Sequence, residues 1–270
     1  MDSAAAPSAI SRVSAVRSDR GKTLESVIVE EPLEIRVSQG EVESRVAITM
    51  RTPGNDLELA VGFLLSEGLI SRRDDVLEAR VCADPSLTPR QRANVAIVAL
   101  ADSVPHPARV LDRRFTISSA CGVCGSTSLS DLHERGITSV QSSSRTFDEE
   151  VLLIDLLKPS QRLFAKTGAL HGAALVNEEG VLRYVREDVG RHNAVDKAIG
   201  AALLEGVLPS GWSLLLSGRI GFEIVQKAVV AGISSIVAVS APTSLALELA
   251  EEFGVRIVGF ARESRGTQYC

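Results

Sequence analysis

Cys121 and Cys124 stand three positions apart in the stretch RRFTISSACGVCGSTS (residues 113–128), each followed by glycine, and make up half of the four cysteines in the chain. Such a C-x-x-C pair has several chemical uses. A structural zinc site needs four ligands, usually two such pairs or one pair with two closely spaced histidines. Here His133 is alone nearby, and His106, His171 and His192 are scattered. A thioredoxin-like redox pair sits between a strand and a long helix, whereas the residues after Cys124 offer only a brief helical segment, SLSDLHERG. Inert structural thiols are a third reading. The fourth is a nucleophilic thiolate on a length of chain able to meet large partners. Gly122 and Gly125 remove side-chain restriction beside the pair, and Arg113, Arg114 and a helix start capped by Ser126 or Ser128 would favour the thiolate. Cys82 and Cys270 read as a small buried side chain and a terminal thiol.

A second group of polar residues falls in four segments of the C-terminal half: AKTGALHG (165–172), REDVGRHNAVDKAIG (186–200), LSGRIGFE (216–223) and GFARESRG (259–266). Each lies where a strand is expected to give way to a helix or turn. In open α/β sheets ligands collect at such strand ends, where helix N-termini and loop donors meet. The candidates for binding are Arg191, His192 and Lys197 near the start of one helix, Arg219 after a buried strand, and Arg262 and Arg265 after VGF. The planar guanidinium groups of the last two suit diphosphate oxygens. Convergence of these groups on one edge would make a site for an anion of nucleotide size.

The elements that must position these residues can be read from periodicity. From Leu24, ESVIVEEPLEIRVSQGEVESRVAITM is strand-like, and TPGNDLELAVGFLLSEGLI then changes to a helical period, with Asn55 or Asp56 as cap and Gly68 as terminator. Two short strands are expected over 77–112, around the loop DPSLTPRQRAN. The serine-rich run SVQSSSRTF (139–147) reads as a linker. Beyond it come a helix over 148–157, strands at 169–177 and 181–186, a helix over 190–205, the strand WSLLLSG, a helix over 221–231, the strand SSIVAVS, a helix over 243–253 and the strand RIVGFA. This order predicts an α/β fold, a mixed sheet covered by helices. The expected organisation is a disordered tail over 1–22, a small α+β domain over 23–115, the C-x-x-C loop and linker over 116–146, and an α/β cofactor-binding domain over 147–270.

Composition narrows the classes of function. The 270 residues are 45% hydrophobic and carry 29 basic against 34 acidic side chains, a net charge of −5. No concentrated basic field exists for nucleic acid or an anionic membrane, and the longest apolar runs fall far short of a bilayer span. Neither a nucleic-acid partner nor a membrane is expected. The first 22 residues lack the continuous apolar core of a secretory signal. Sparse cysteine usage fits a reducing cytoplasm.

The order of elements is similar to that of the cytidine deaminase fold, with GRHNAVDK in the place of the zinc-binding helix. Deaminase chemistry requires H-x-E and P-C-x-x-C. His192 is followed by Asn193 and Ala194, and SGRIG has no cysteine, so a deaminase-like scaffold without that chemistry and without a bound metal is the expectation. Together EEPLEIRV, TPGNDLELAVGFLLSEG, CGVCG, TGALHGAAL, REDVGRHNAVDKAIG, SGRIGFEIVQKA, SAPTSLALELAE and GFARESR resemble the FdhD family of sulfur carriers needed for formate dehydrogenase activity, over roughly residues 25–270. The resemblance implies a cytoplasmic sulfurtransferase and a homodimer. It would take persulfide sulfur from a cysteine desulfurase on Cys121, with Cys124 assisting. It would then pass the sulfur to the molybdenum or tungsten bis-pyranopterin guanine dinucleotide cofactor, of which GDP is a partial mimic, before insertion into formate dehydrogenase. The family's cofactor-binding stretch falls on Phe260, Ala261, Arg262, Glu263, Ser264 and Arg265.

Overall fold

A computed structural model describes residues 8–105 and 129–270. Cys121, Cys124, Arg113 and Arg114 lie outside the described residues.

The C-terminal half forms a six-stranded sheet of order β12-β11-β10-β9-β7-β8. Its strands are β7 (His171–Val176), β8 (Leu182–Asp188), β9 (Ser213–Leu216), β10 (Ser235–Ala238), β11 (Arg256–Arg262) and β12 (Arg265–Gln268). Strands β9, β10 and β11 are parallel; β7 is antiparallel to β8 and β9, and β12 to β11. Both faces are buried, which is why the strands read as continuous apolar runs. Leu214, Leu216, Ile236, Ala238 and Ile257 enter the main core. Their alternates Leu215, Val237 and Val258 join Val151, Ile154 and Leu157 on the opposite face.

A four-stranded sheet of order β4-β3-β6-β5 occupies the N-terminal half, built from β3 (Glu31–Gln39), β4 (Val42–Arg51), β5 (Val76–Val81) and β6 (Val95–Leu100). Leu33, Ile35 and Val37 point inward on strict alternation. Against that face lies α1 (Asp56–Ser66), whose N-cap is Asn55 and which stops at Gly68, φ 71°. Asn55 adopts a left-handed conformation and its side chain makes no capping bond; the Asp56 carboxylate is instead held by the buried Arg51 guanidinium through two bonds of 2.9 Å. The loop 83–94 contains a short helix, α2 (Pro89–Ala93), started by a Thr88–Gln91 capping box.

Helix α1 connects the halves. It packs on α7 (Arg191–Leu204), which covers β7 and β8, and α8 (Phe222–Val230) and α9 (Ser244–Phe253) complete that layer. On the far face lie α4 (Phe147–Leu153) and α5 (Leu157–Ser160); α6 (Phe164–Thr167) packs against the strand Gly21–Ile28, and α3 (Leu129–Glu134) lies before the linker in sequence. One core runs from Leu33 through Leu64 and Val195 to Ile257, so packing is continuous across the boundary drawn from sequence. The serine-rich segment 139–146 is tied down rather than free. Arg145 donates to Ser213 Oγ and to the Asn177 carbonyl, and the buried Glu150 carboxylate accepts from Ser143, Ser213 and Ser235.

Two expectations need correction. Much of the tail assigned to residues 1–22 is a hairpin, β1 (Ile10–Arg17) pairing with β2 (Gly21–Ile28) from Ile10↔Ile28 to Arg17↔Gly21. Its strands mix apolar and polar residues on both faces, so alternation gives no signal. A twelfth strand, β12, also follows RIVGFA. It forms because Glu263 and Ser264, φ 47° and 63°, make a two-residue reversal with both centres left-handed, the geometry that matches strand twist and usually selects Asn-Gly.

Candidate functional site

The C-terminal ends of β8, β9, β10 and β11 and the start of β7 meet at one edge of the large sheet. Helices α7, α8 and α9 start there, directly after β8 or after the short loops that follow β9 and β10. The loops are stitched laterally. Ile220 N–H donates to the Ala241 carbonyl (3.1 Å), Thr243 N–H to the Ile220 carbonyl (3.0 Å) and Phe260 N–H to the Ser240 carbonyl (3.2 Å), making a continuous rim from Arg219 to the β11–β12 hairpin.

Of the residues expected from the second-half loops, Arg191, His192 and Arg219 come together at this edge. Arg191 opens α7; its Nε is buried and unpaired, and its guanidinium makes no ion pair or hydrogen bond among the described residues. Arg219 is exposed on the rim and equally unpaired there. His192 places Nε2 3.1 Å from Glu223 Oε2 on α8. Burial, reinforced by Arg191, Lys227 and His171, lowers the His192 pKa to about 3, while burial raises that of Glu223. At neutral pH the imidazole is therefore neutral and the contact is not an ion pair.

His171 is a site residue that sequence reasoning did not select. It opposes Asp188 in the β7–β8 register, and its pKa is lowered by burial and then by Arg191 and Arg219. A Cβ on Gly218 would stand 3.2 Å from His171 Nδ1 and 3.7 Å from Arg191 Cβ, so the small residue lets both groups approach. Glu223 was visible only as a charge on a helix. The signal that could have found His171 is strand register, which no local pattern carries.

Lys197, expected among the cofactor-binding residues, is turned into the protein. Its Nζ is 2.7 Å from Asp188 Oδ2 and 2.8 Å from the Thr52 carbonyl, and it is 1% exposed. Asp188 also accepts from Thr52 N–H, Gly190 N–H and Asn193 Nδ2. This network ties the loop before α1 to the end of β8, and Lys197 has a structural role.

The Phe260–Arg265 stretch forms the tip of the β11–β12 hairpin at the far end of the rim. Phe260 is held at φ 53° with its ring half exposed. Ala261 packs in the far-face core and can offer only backbone. Arg262 and Arg265 face each other across the hairpin; Arg262 is unpaired among the described residues and Arg265 has only an exposed contact with Glu263 at 3.4 Å. Unpaired guanidinium groups along a strand-end rim, with no acceptor of their own, are suited to phosphate oxygens. Among the described residues no group of three or more His, Cys, Asp or Glu side chains could hold a metal ion, and no helix is long and apolar enough to cross a membrane.

Fold and site together define a mixed α/β protein with a cationic strand edge. The FdhD/NarQ family model matches residues 28–270, and the chain belongs to that family. It is 47% identical over 242 residues to the sulfur carrier protein FdhD of Mycolicibacterium paratuberculosis, covering 88% of each chain. It is 44% identical over 278 residues to the sulfur carrier protein FdhD of Anaeromyxobacter sp., covering 99% of this chain and 94% of the relative. Its fold matches the crystal structure of a protein from Desulfotalea psychrophila described as a formate dehydrogenase accessory protein, with a TM-score of 0.71, 25% identity and coverage of 96% and 95%.

Proposed function

We propose that this protein is a cytoplasmic sulfur carrier for formate dehydrogenase. It receives persulfide sulfur from a cysteine desulfurase on Cys121 and delivers it to the molybdenum or tungsten bis-pyranopterin guanine dinucleotide cofactor. The relatives named as sulfur carriers support the class. The observation that carries the cofactor reading is the rim of unpaired arginines, Arg191, Arg219 and Arg262, at the ends of parallel strands. These would take the diphosphates of the guanine nucleotides, with Phe260 available to stack on a base.

The loading step needs no redox partner. The Cys121 thiolate attacks the outer sulfur of the desulfurase persulfide. A new S–S bond forms on Cys121, the old one breaks, and the desulfurase cysteine leaves as thiolate. Cys124 then either relays that sulfur or closes a disulfide with Cys121. In the second course its two electrons reduce the terminal sulfur, which leaves as hydrosulfide. A homodimer would present two such rims, and light scattering tests that state.

Intact mass after incubation with a desulfurase and cysteine tests the reading. The wild type should gain one sulfur, and Cys121→Ser should lose transferable sulfur because a hydroxyl is not ionised at neutral pH. Undiminished sulfur transfer by the Cys121→Ser variant would remove Cys121 from the reaction.

A further inference from the structure

Beside the edge of β8 lies a cleft of about 630 Å³. Its walls are the loop before α1, strand β8 at Val185–Glu187, and the α5–α6 segment. Its volume falls in the range of small-molecule sites. The apolar part of the wall is Pro53, Pro159, Leu163 and Val185.

The charged groups divide into two sets. Arg186 is held by both oxygens of Glu58, and Lys197 by Asp188 and Thr52. Glu187, the carboxylate in the wall, accepts from the N–H groups of Leu163 (2.8 Å) and Phe164 (2.7 Å). That leaves Arg162 and Lys166, one helical turn apart, and the Asn55 side chain. All three line the cleft and none has a partner among the described residues. The Glu187 bonds fix the backbone that carries Arg162 and Lys166, so these cations are presented from a held segment, which reduces the ordering cost of binding.

We propose that this cleft is a binding site for a nucleotide-sized phosphate ester. The phosphate would sit on the Arg162 fork and the Lys166 ammonium, the Asn55 amide would meet a sugar or base polar group, and the ring would lie against Pro53, Pro159 and Leu163. A guanidinium gives paired donors to phosphate oxygens, an ammonium gives a point charge, and the apolar wall selects for more than a bare anion. The site shares no residue with the rim and does not depend on the reading of the rim.

Calorimetry on the full chain with AMP and GMP in parallel tests this. Arg162→Ala/Lys166→Ala should weaken nucleotide binding by on the order of tenfold or more, the loss expected for charge-assisted hydrogen bonds. Arg45→Ala/Arg80→Ala, on β4 and β5 of the small sheet, removes the same charge elsewhere. Equal losses in this control and in the cleft variant, or no loss in the cleft variant, would overturn the proposal. So would inorganic phosphate binding as tightly as either nucleotide, since the apolar wall would then be unused. All substituted side chains are on the surface, and circular dichroism checks that the fold is kept.

Discussion

Lys197 Nζ lies 2.7 Å from Asp188 Oδ2 with both side chains removed from solvent, nine residues and one strand-to-helix turn apart. The same ammonium reaches the Thr52 carbonyl, so one cation fixes the end of β8, the first turns of α7 and the loop ahead of α1. The rim groups Arg191 and His192 start from this clamp.

Lys197→Met should cost about 3–5 kcal/mol of stability, the range for removing one partner of a buried ion pair. The loss reflects the uncompensated Asp188 charge, so adding Asp188→Asn should restore part of it. Urea unfolding measures both. Equal stability of the wild type and the single variant would show that the pair contributes no net stabilisation.

Gly200 on α7 is a second clamp of a different kind. A Cβ there would stand 1.9 Å from the Glu58 carbonyl oxygen, and one on Gly62 would stand 1.9 Å from that of Asp196. Alanine in an ordinary helix interior gains roughly 1 kcal/mol over glycine. Here Gly200→Ala must push α1 from α7, and overpacking of this sort costs about 1–3 kcal/mol or more. The sign of the change in unfolding free energy decides between the two effects, and a net loss is expected.

Burial of His192 makes stability depend on pH. The His192 pKa falls from 6.5 unfolded to about 3 folded, so between those values the unfolded chain binds more protons. Stability from this residue is complete above pH 6.5 and declines as pH falls towards 3. His171, also lowered, acts in the same direction, while Glu223, raised from 4.5, opposes it from about pH 4.5 upward. His192→Gln should flatten the profile of urea midpoint against pH below 6.5. An unchanged slope would place the acid sensitivity elsewhere.

Arg191→Ala and Arg262→Ala should each weaken GDP binding by about 1.5–3 kcal/mol, the contribution of a charge-assisted hydrogen bond. Lys197→Met, compared at equal folded fraction, should leave it nearly unchanged. Calorimetry separates the two classes. Unchanged affinity in both arginine variants would move the nucleotide off the rim.

Strands β9 and β10 and helices α7 to α9 were legible because each strand is an apolar run buried on two faces and each helix is bounded by Gly or Thr. The site was legible where a single residue type carried the signal, as with Arg191 and Arg219 at helix starts. Lys197 looked the same in sequence. What distinguishes it is Asp188, brought alongside by the fold at the end of the preceding strand. His171 entered the site through pairing with β8, and β12 through a left-handed turn at Glu263–Ser264 that those residue types do not advertise. Gly62 and Gly200 sit inside helical runs, where glycine reads as a weakness; only the crossing of two helices makes it a contact.

That crossing also bears on how the chain can be exchanged between relatives. A chimaera joined in the serine-rich segment would take α1 from one parent and β8 and α7 from the other, although the helix backbones touch through glycine and α1 meets β8 at Glu58–Arg186 and α7 at Ser66–Asp196. Parents that differ on either helix would yield mismatched hybrids even if each half were intact. Compensating substitutions should therefore travel in pairs between residues 56–66 and 186–204, and a productive recombination point lies outside the interval that joins them.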